Sequence, residues 1–568
     1  MNNSSCHSGR TVFAREAAIL CLYLAIACSF TWPLLLKLST NLPLGSETSA
    51  TLPLFNLWTL SWNAESISHL WFGYWDAPIF FPHDGAFGLS DPQPLTGLLF
   101  AAEGPFTGNS VLAYNLCLMG ILVLNGYGAC RLAARLSGEG APSVLLGTLA
   151  VGFPWVANEL GVLQLTVLFP IFFAFERLAR FAREPDYRNS LILGCWASAT
   201  YLSSSYFGLH LSLFLCLAAA LALAKERRLS LETAKRVAAG AAVCFALLAP
   251  VAAGQLKATA GFSRNQQAIE GGSASGEHYL RLRSRSAAAG IVPWLASGPL
   301  QDRTVTPQNL YPGTVLILLA MAGLFAARGD LTSRKPALFL LSVTAVSLLL
   351  SFGPKASLMG FSPYEMLRTV YPGFAQLRSS FRFAASVQIG MLGLASFGLP
   401  LLWRWRGGYG RGLAIALVIV GLAEVMPPRQ RFGPDRASLF SHDWLTQMRD
   451  LPAGPVAYLP PSMSGRSQHF EDTVVLMLQA LSFEKPLLNG YSGYFPASHR
   501  EFRTRLRRLD PAGIAYLEAR GTRYIILNVK RAPPGMTSWL GGRQELRLLF
   551  ETAQVQVYEF VRWTEVTS

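Results

Sequence analysis

The sequence is short of charged residues. Only 14% of its 568 positions are Asp, Glu, Lys or Arg, whereas about 25% is usual for a soluble globular protein. Hydrophobic residues make up 51% of the chain, so too little polar surface is left to enclose a soluble core of this size. Apolar runs of about 17–24 residues recur along the chain, and that length crosses a hydrocarbon core of ~30 Å. The expected fold class is therefore a polytopic α-helical membrane protein.

Eleven apolar runs are predicted to span the membrane, with boundaries good to a few residues. They are 17–38, 111–132, 142–157, 162–181, 190–205, 209–224, 237–253, 312–327, 336–352, 384–403 and 412–427. The pair between 190 and 224 is the least clearly divided, because its two halves are short and almost continuous.

Positive charge is missing from the longest early connection. Residues 41–110 contain no Lys or Arg and six acidic residues, although the chain carries a net charge of +15. The loops on the other side of the spans are all basic, which is typical of cytoplasmic loops. We therefore expect a multi-pass protein of the plasma (inner) membrane with a cytoplasmic N-terminus and a periplasmic or extracellular C-terminus. Topology accounts for most of the basic residues, so no nucleic-acid partner is expected.

Cysteine is missing from every loop that this topology places outside. All eight cysteines lie in the N-terminal tail or in the predicted spans. A disulfide framework in the exterior parts is therefore excluded. The Cys and His residues also lack the spacing of a zinc site.

Three exterior pieces are longer than the other connections: 41–110, 255–311 and the tail 428–568. The tail has no span-length apolar run. Its stretches VAYLP, RYIILNV and VQVYEFV predict β-strands, and ASHREFRTRLRRL and DPAGIAYLEARG predict helices. We therefore divide the chain into a transmembrane domain, 1–427, and a C-terminal soluble α/β domain, 428–568.

The first exterior piece, 41–110, is too apolar to be a flexible loop. Apolar residues recur near helical spacing from Leu54 to Ile67, which predicts an amphipathic helix lying on the outer leaflet. A second helix of this kind is expected at 95–102.

Several stretches together resemble a known group of membrane enzymes. They are FNLWTLSWN, FFPHDGAFGLSDPQPL, VLAYNLCLMGILVLNGYGACRLAARLSG, FAQLRSSFRFAASVQIG, KPLLNGYSGYFPASH and GTRYIILN. With a long acidic first exterior loop and an exterior C-terminal domain, this pattern resembles the GT-C superfamily of glycosyltransferases. These use polyprenyl- or dolichyl-phosphate sugars, and the closest resemblance is to a large bacterial group with a C-terminal exterior α/β domain.

The resemblance implies a fold and a reaction. A carboxylate of the first exterior loop acts as general base on an acceptor hydroxyl, which attacks the anomeric carbon while the lipid phosphate leaves. Glu47, in PLGSETSAT, best matches this base, although family members commonly have Asp there, often in an acidic pair. Asp91 is the second candidate and Asp84 the third. Asp76, which precedes Ala-Pro, has the pattern of a turn residue.

The leaving phosphate needs cations, and two arginine sets are candidates for the donor phosphate site. Arg378 and Arg382 lie in LRSSFRF, just before the tenth span, and Arg281, Arg283 and Arg285 alternate in YLRLRSRS. Binding to anionic lipid headgroups is the alternative for both sets.

The implied partners are a polyprenyl-phosphate-sugar donor, membrane lipids and an exterior acceptor, which is a glycan, a lipid or a protein. Some members of the superfamily use a divalent metal, but the sequence has no decisive ligand cluster, so no cofactor is assigned. Two alternatives stay open: a non-catalytic scaffold on the same frame, and a lipid or glycan transporter. Transport is less favoured, because ionisable residues are missing from the middle of the predicted spans.

Overall fold

The structure is a computed structural model of the whole chain. It describes residues 4–226, 230–280, 309–357, 359–427, 429–462, 467–506 and 510–563. Statements below about partners or their absence refer to these residues.

The membrane part is a bundle of helices. It comprises α1 (Ser4–Phe30), α2 (Thr51–Ser68), α3 (Pro94–Thr107), α4 (Ser110–Ser137), α5 (Ala141–Val151), α6 (Pro154–Asn158), α7 (Phe169–Arg183), α8 (Tyr187–Ser203), α9 (Ser205–Glu226), α10 (Leu231–Ala258), α11 (Gln266–Gly271), α12 (Gly276–Leu280), α13 (Thr314–Ala326), α14 (Leu331–Ser351), α15 (Pro363–Val370), α16 (Phe383–Arg404) and α17 (Gly408–Val425).

Each of the eleven predicted spans corresponds to a helix. In the described part of the chain, eight helical segments are long and apolar enough to cross a membrane, and 314–326 is a shorter apolar helix. The other two are α7, whose helix begins seven residues later than predicted, and α8, which a single residue, Ser204, separates from α9. The chain is therefore a multi-pass membrane protein, as expected.

Side-chain caps fix where several helices begin. Asn109 accepts hydrogen bonds from Val111 N and Leu112 N at the start of α4, and Asp330 accepts from Thr332 N and Ser333 N at the start of α14. Asp186 and Ser230 cap α8 and α10 in the same way. Such caps satisfy amides that have no partner inside the helix.

The prediction for the first exterior piece is wrong in one respect. The helix α2 is present, but it does not lie on a membrane surface as an amphipathic helix. It is buried on most sides, and Leu57 and Trp58 are 0% and 1% exposed. The helix is enclosed because α3 packs against one side and a helix of the tail, α20 (Glu471–Phe483), packs against another.

The tail forms a mixed sheet with helices. Its elements are β2 (Phe432–Asp435), α18 (Arg436–Phe440), α19 (Asp443–Asp450), β3 (Val456–Leu459), α20, α21 (Ala497–Arg505), α22 (Pro511–Ala519), β4 (Tyr524–Asn528), α23 (Met536–Gly541), β5 (Leu546–Glu551) and β6 (Val555–Phe560). The strand order is β3-β4-β6-β5, with β3 parallel to β4 and the other pairs antiparallel. The C-terminal α/β fold is confirmed, and β5 is the strand of this sheet that the sequence did not predict.

The first exterior piece and the tail share backbone pairing. The strand β1 (Asn41–Pro43) pairs with β2. Phe80 N donates to Asn489 O at 3.1 Å, and Phe81 N donates to Leu487 O at 2.8 Å. One hydrophobic core therefore runs from the helix bundle into the tail. The division at residue 427 stays a prediction.

Candidate active site

Polar and charged side chains gather at one end of the helix bundle. We call this end the site face: residues 41–110 and the tail both leave the bundle there. The carboxylate–arginine cluster consists of Glu47, Asp91, Glu159, Arg378 and Arg382. Its members come from connections far apart in sequence, and Arg382 exerts an electrostatic effect on all three carboxyl groups.

Glu47 is held in a tight turn against the end of α6. Ser46 N donates to Asn158 O at 2.9 Å. Gly45 has φ +56°, and a Cβ there would lie 2.6 Å from the same carbonyl oxygen, so only glycine fits. Arg431 from the tail donates through Nη2 to the Glu47 carbonyl at 2.5 Å. The backbone of Glu47 is thus fixed from two sides.

The carboxyl group of Glu47 is partly buried and has no hydrogen bond to a described residue. Burial raises its pKa to about 7, against the opposing effect of Arg382, Arg378 and Arg431. A carboxyl with a pKa near neutrality can both accept and release a proton at physiological pH. Glu47 therefore has the protonation behaviour of a general base.

The Asp91 carboxylate caps the start of α9. Its Oδ2 accepts a hydrogen bond from Ser205 N at 3.1 Å, at the first residue of α9. Burial raises the pKa of Asp91 to about 7, whereas the Ser205 hydrogen bonds and Arg382 lower it. Asp91 is therefore a helix cap that also faces the cluster.

Asp84 and Asp76 are placed differently. Both side chains are exposed. Asp76 Oδ1 accepts from Gly85 N at 2.8 Å, which agrees with its predicted turn role. Asp84 has no hydrogen bond within the described ranges, and the structure does not bring it into the cluster.

Glu159 is the carboxylate that sequence reasoning missed. Its side chain is 3% exposed, and Oε1 has no hydrogen-bond partner among the described residues. It follows α6 in the short connection that faces Glu47, where a Cβ on Gly161 would lie 3.1 Å from Glu47 Cγ. The available clue was an acid in a four-residue connection between two predicted spans, on the same side as Glu47. Glu47 thus belongs to an acidic pair after all.

Arg378 and Arg382 lie beside this pair without an ion-pair partner within 4 Å in the described part of the chain. The Arg382 guanidinium packs over the Tyr206 ring at 4.1 Å, and its Nε is buried without a partner. The Arg378 side chain is exposed. Two guanidinium groups without an ion-pair partner can bind an anion such as phosphate. Arg281, Arg283 and Arg285 lie outside the described residues, so their role stays a prediction.

The tail contributes an aromatic wall that the sequence did not reveal. The ring of Tyr491 lies 5.2 Å from the rings of both Phe55 and Phe470. Burial raises the pKa of Tyr491 to about 12, with smaller effects from Arg378 and Glu47. Tyr491 therefore borders the cluster on the tail side.

Arg264 fastens the tail to the helix bundle. Its guanidinium lies 3.6 Å above the Tyr494 ring, and Nη1 donates to Gly493 O at 2.7 Å. Tyr494 in turn donates to the side chain of Gln376, two residues before Arg378. These contacts fix the tail over the connection that carries the phosphate-binding candidates.

Metal ligands do not converge in the parts of the chain that the structure describes. No group of three or more His, Cys, Asp or Glu side chains is arranged there to hold an ion. The divalent metal that the resemblance left open thus has no three-ligand set in those ranges.

Comparisons with known proteins agree with this architecture. A family model described as "Domain of unknown function (DUF6311)" matches residues 73–425. No curated protein matches the chain. Among solved structures, the arabinofuranosyltransferase AftD from Mycobacteria is similar with a TM-score of 0.52 and 13% identity, over 95% of this chain and 41% of that chain. The chain therefore spans about two fifths of the length of AftD.

Two structures of ArnT from Cupriavidus metallidurans are also similar. The apo structure has a TM-score of 0.39 and 12% identity, over 98% of each chain. The structure bound to undecaprenyl phosphate has a TM-score of 0.42 and 13% identity, over 96% of this chain and 98% of that chain. These scores are too low to add to the assignment; the likeness to AftD confirms the GT-C fold expected from the sequence.

Proposed function

The chain belongs to the DUF6311 family, and from this premise and its GT-C fold we propose that it is a membrane glycosyltransferase. It moves a sugar from a polyprenyl-phosphate-linked donor to an acceptor outside the membrane, with inversion at the anomeric carbon. The acceptor class is a glycan, a lipid or a protein.

One observation carries this proposal: the partly buried carboxyl of Glu47, which has no hydrogen bond to a described residue and a pKa raised to about 7, lies beside two arginines that have no ion-pair partner in the described ranges. A neutral hydroxyl is a poor nucleophile, and a positioned base accelerates its attack by roughly 10²–10⁴-fold. A phosphate leaving group gains negative charge, which guanidinium groups stabilise. The cluster provides both functions within one site.

The proposed reaction is a single displacement. The Glu47 carboxylate takes the proton of the acceptor hydroxyl, and the hydroxyl oxygen forms the new bond to the anomeric carbon. The bond from that carbon to the phosphate oxygen breaks, and its electron pair leaves with the lipid phosphate. Attack from the face opposite the leaving group inverts the configuration.

The arginines are assigned different parts in this reaction. Arg378 is exposed and free to follow the donor phosphate. Arg382 packs over the Tyr206 ring and interacts electrostatically with the Glu47 carboxyl group. Its positive charge is therefore already in position for the phosphate before the donor binds. Glu159 is assigned a positioning part, because its carboxyl is buried and interacts electrostatically with Glu47.

The site face is proposed to lie outside the cytoplasm. The loops that are rich in Lys and Arg connect the spans at the end opposite the site face, as expected if that end is cytoplasmic. A polyprenyl chain would enter from the outer leaflet, with its phosphate at the level of Arg378.

Donor binding can be tested on the full-length protein in nanodiscs, with undecaprenyl phosphate as the probe. Losing one charge-assisted contact of about 1.5–3 kcal/mol predicts a roughly ten- to hundredfold weaker affinity for Arg378→Ala. The matched control is Arg429→Ala, because Arg429 is also exposed, follows α17 near the site face and has no side-chain partner among the described residues. Unchanged affinity in both Arg378→Ala and Arg382→Gln would contradict the donor site.

Catalysis can be tested separately in cells by measuring exterior glycan output. Glu47→Gln should abolish output, and Asp84→Asn should leave it intact, because Asp84 is exposed and outside the cluster. If Glu47→Gln and Asp91→Asn both leave output intact, the catalytic proposal fails while the fold stands, and the scaffold alternative takes its place.

A further inference from the structure

An apolar groove lies near the opposite face of the bundle, far from the carboxylate–arginine cluster. Its volume is about 610 Å³. The helix α16 links the two places: it begins next to Arg382 and ends at Arg404, 22 residues later. At 1.5 Å per residue this is ~33 Å, about the thickness of a hydrocarbon core. The groove is therefore a separate site.

Close contact between two helix backbones forms the floor of the groove. A Cβ on Gly323 of α13 would lie 1.9 Å from Leu394 O, and a Cβ on Gly398 of α16 would lie 2.3 Å from Leu319 O. Small residues let helices approach in this way inside membranes. The two glycines therefore let α13 and α16 pack backbone to backbone, and Gly398 also lines the groove.

The walls of the groove are apolar and open to the lipid. Leu318 of α13 and Leu401 of α16 are 54% and 55% exposed, and Leu417 of α17 closes the third side. The helix α13 has 13 residues, or ~20 Å, which is shorter than a hydrocarbon core of ~30 Å. A hydrocarbon chain in this groove would cover apolar surface next to the short helix.

One end of the groove is basic. Arg404 and Trp405 line it, the tight turn that follows carries Arg406, and Arg411 lies in the first turn of α17. None of the three arginines has a carboxylate partner in the described ranges, although Arg406 lies 5.1 Å above the Trp405 ring. Arginine and tryptophan at this depth match the headgroup region of a bilayer.

We infer that this groove binds one anionic glycerophospholipid of the leaflet on the opposite face. An acyl chain lies between α13, α16 and α17, and the phosphate is bound by Arg404 with support from Arg406. Charge complementarity selects an anionic headgroup, because Arg404 lines the groove and no acidic side chain of the described residues does. Trp405 lies at the boundary between the acyl chain and the headgroup.

The test is native mass spectrometry of the full-length protein after detergent exchange with phosphatidylglycerol or phosphatidylcholine. The wild type should retain one phosphatidylglycerol in preference to phosphatidylcholine. Arg404→Gln should weaken retention about fivefold, as expected for one Arg near an anionic lipid. Ala322→Phe, which places a ring in the groove, should also lose the lipid.

Two controls distinguish the groove from general surface charge. Arg328→Gln removes a basic residue in the loop after α13 that does not line the groove, and Arg378→Ala alters the proposed donor site; both should retain phosphatidylglycerol as the wild type does. Equal retention of phosphatidylcholine, retention by Ala322→Phe, or an equal loss in Arg328→Gln would each overturn the inference.

Discussion

Replacing Glu47 by Gln should lower activity and raise stability at the same time. The ordinary pKa of its carboxyl is 4.5, and burial raises it to about 7 in the folded protein. A difference of that size corresponds to up to ~3 kcal/mol at 1.36 kcal/mol per pKa unit. The folded state therefore resists ionisation of this residue, and the neutral amide of Gln removes that cost.

The sign of the pH dependence follows from the raised pKa. The folded state binds the Glu47 proton more tightly than the unfolded state, so the wild type loses stability as the pH rises from about 4.5 to about 7. Glu47→Gln should therefore unfold at a higher temperature than the wild type at pH 8 and at a similar temperature at pH 4. Thermal unfolding of the detergent-solubilised protein measures this difference.

The catalytic rate of the wild type should rise with pH, whereas its stability should fall. A base with a pKa of about 7 is about one tenth deprotonated at pH 6 and about nine tenths deprotonated at pH 8. The wild-type rate should therefore rise roughly tenfold between these values, and Glu47→Gln should lose ~10²–10⁴-fold. The assay follows transfer of labelled sugar from lipid to exterior glycan in right-side-out vesicles, where the buffer sets the pH at the site face.

The exposed Asp84 provides the matched control, since Asp84→Asn should change neither the rate nor the unfolding temperature. The reasoning is refuted if Glu47→Gln keeps more than half of the wild-type rate from pH 6 to 9. A Glu47→Gln protein that is less stable than the wild type at pH 8 would refute the electrostatic part independently.

Three further outcomes are expected. At pH 3, where the Asp91 carboxyl is protonated in the folded state and largely so in the unfolded state, Asp91→Ala should destabilise the protein by about 1 kcal/mol, because the amide of Ser205 loses its cap, whereas Asp91→Asn should keep the unfolding temperature. At pH 8, Asp91→Asn should unfold at a higher temperature than the wild type, because burial raises the pKa of Asp91 to about 7; calorimetry measures both. Arg264→Gln should expose the tail to limited proteolysis, because it removes the bond to Gly493 O at 2.7 Å, and unchanged digestion would contradict that role. Gly323→Leu should prevent a monodisperse fold in size-exclusion chromatography, because its Cβ would lie 1.9 Å from a backbone oxygen.

Local patterns in the sequence predicted much of the fold. The apolar runs became helices, and the predicted helix in DPAGIAYLEARG is α22, where Asp510 accepts from Gly513 N at 2.8 Å. Strands rich in β-branched residues, such as Tyr524–Asn528, also formed where expected. Each of these features depends on neighbours within a few residues.

Other features depend on contacts that no local pattern contains. The spacing of apolar residues in α2 predicted a helix with one solvent-exposed face, but α3 and the tail helix α20 pack against it and most of its residues are buried. Glu159 escaped notice because its importance lies in its position next to Glu47, which a turn at Gly45 creates. The strand β5 was missed because two consecutive residues, Arg547 and Leu548, are both exposed, so its side chains do not alternate regularly between buried and exposed.

The sequence by itself determined that this chain is a multi-pass helical membrane protein with a C-terminal α/β region, because hydrophobic length and strand composition are local properties. Only the tertiary structure decided which acid faces the arginines. Glu47 and Arg431 are 384 residues apart in sequence and yet share a hydrogen bond. Burial and electrostatic coupling, which set the pKa of a candidate base, exist only once such distant segments have packed together.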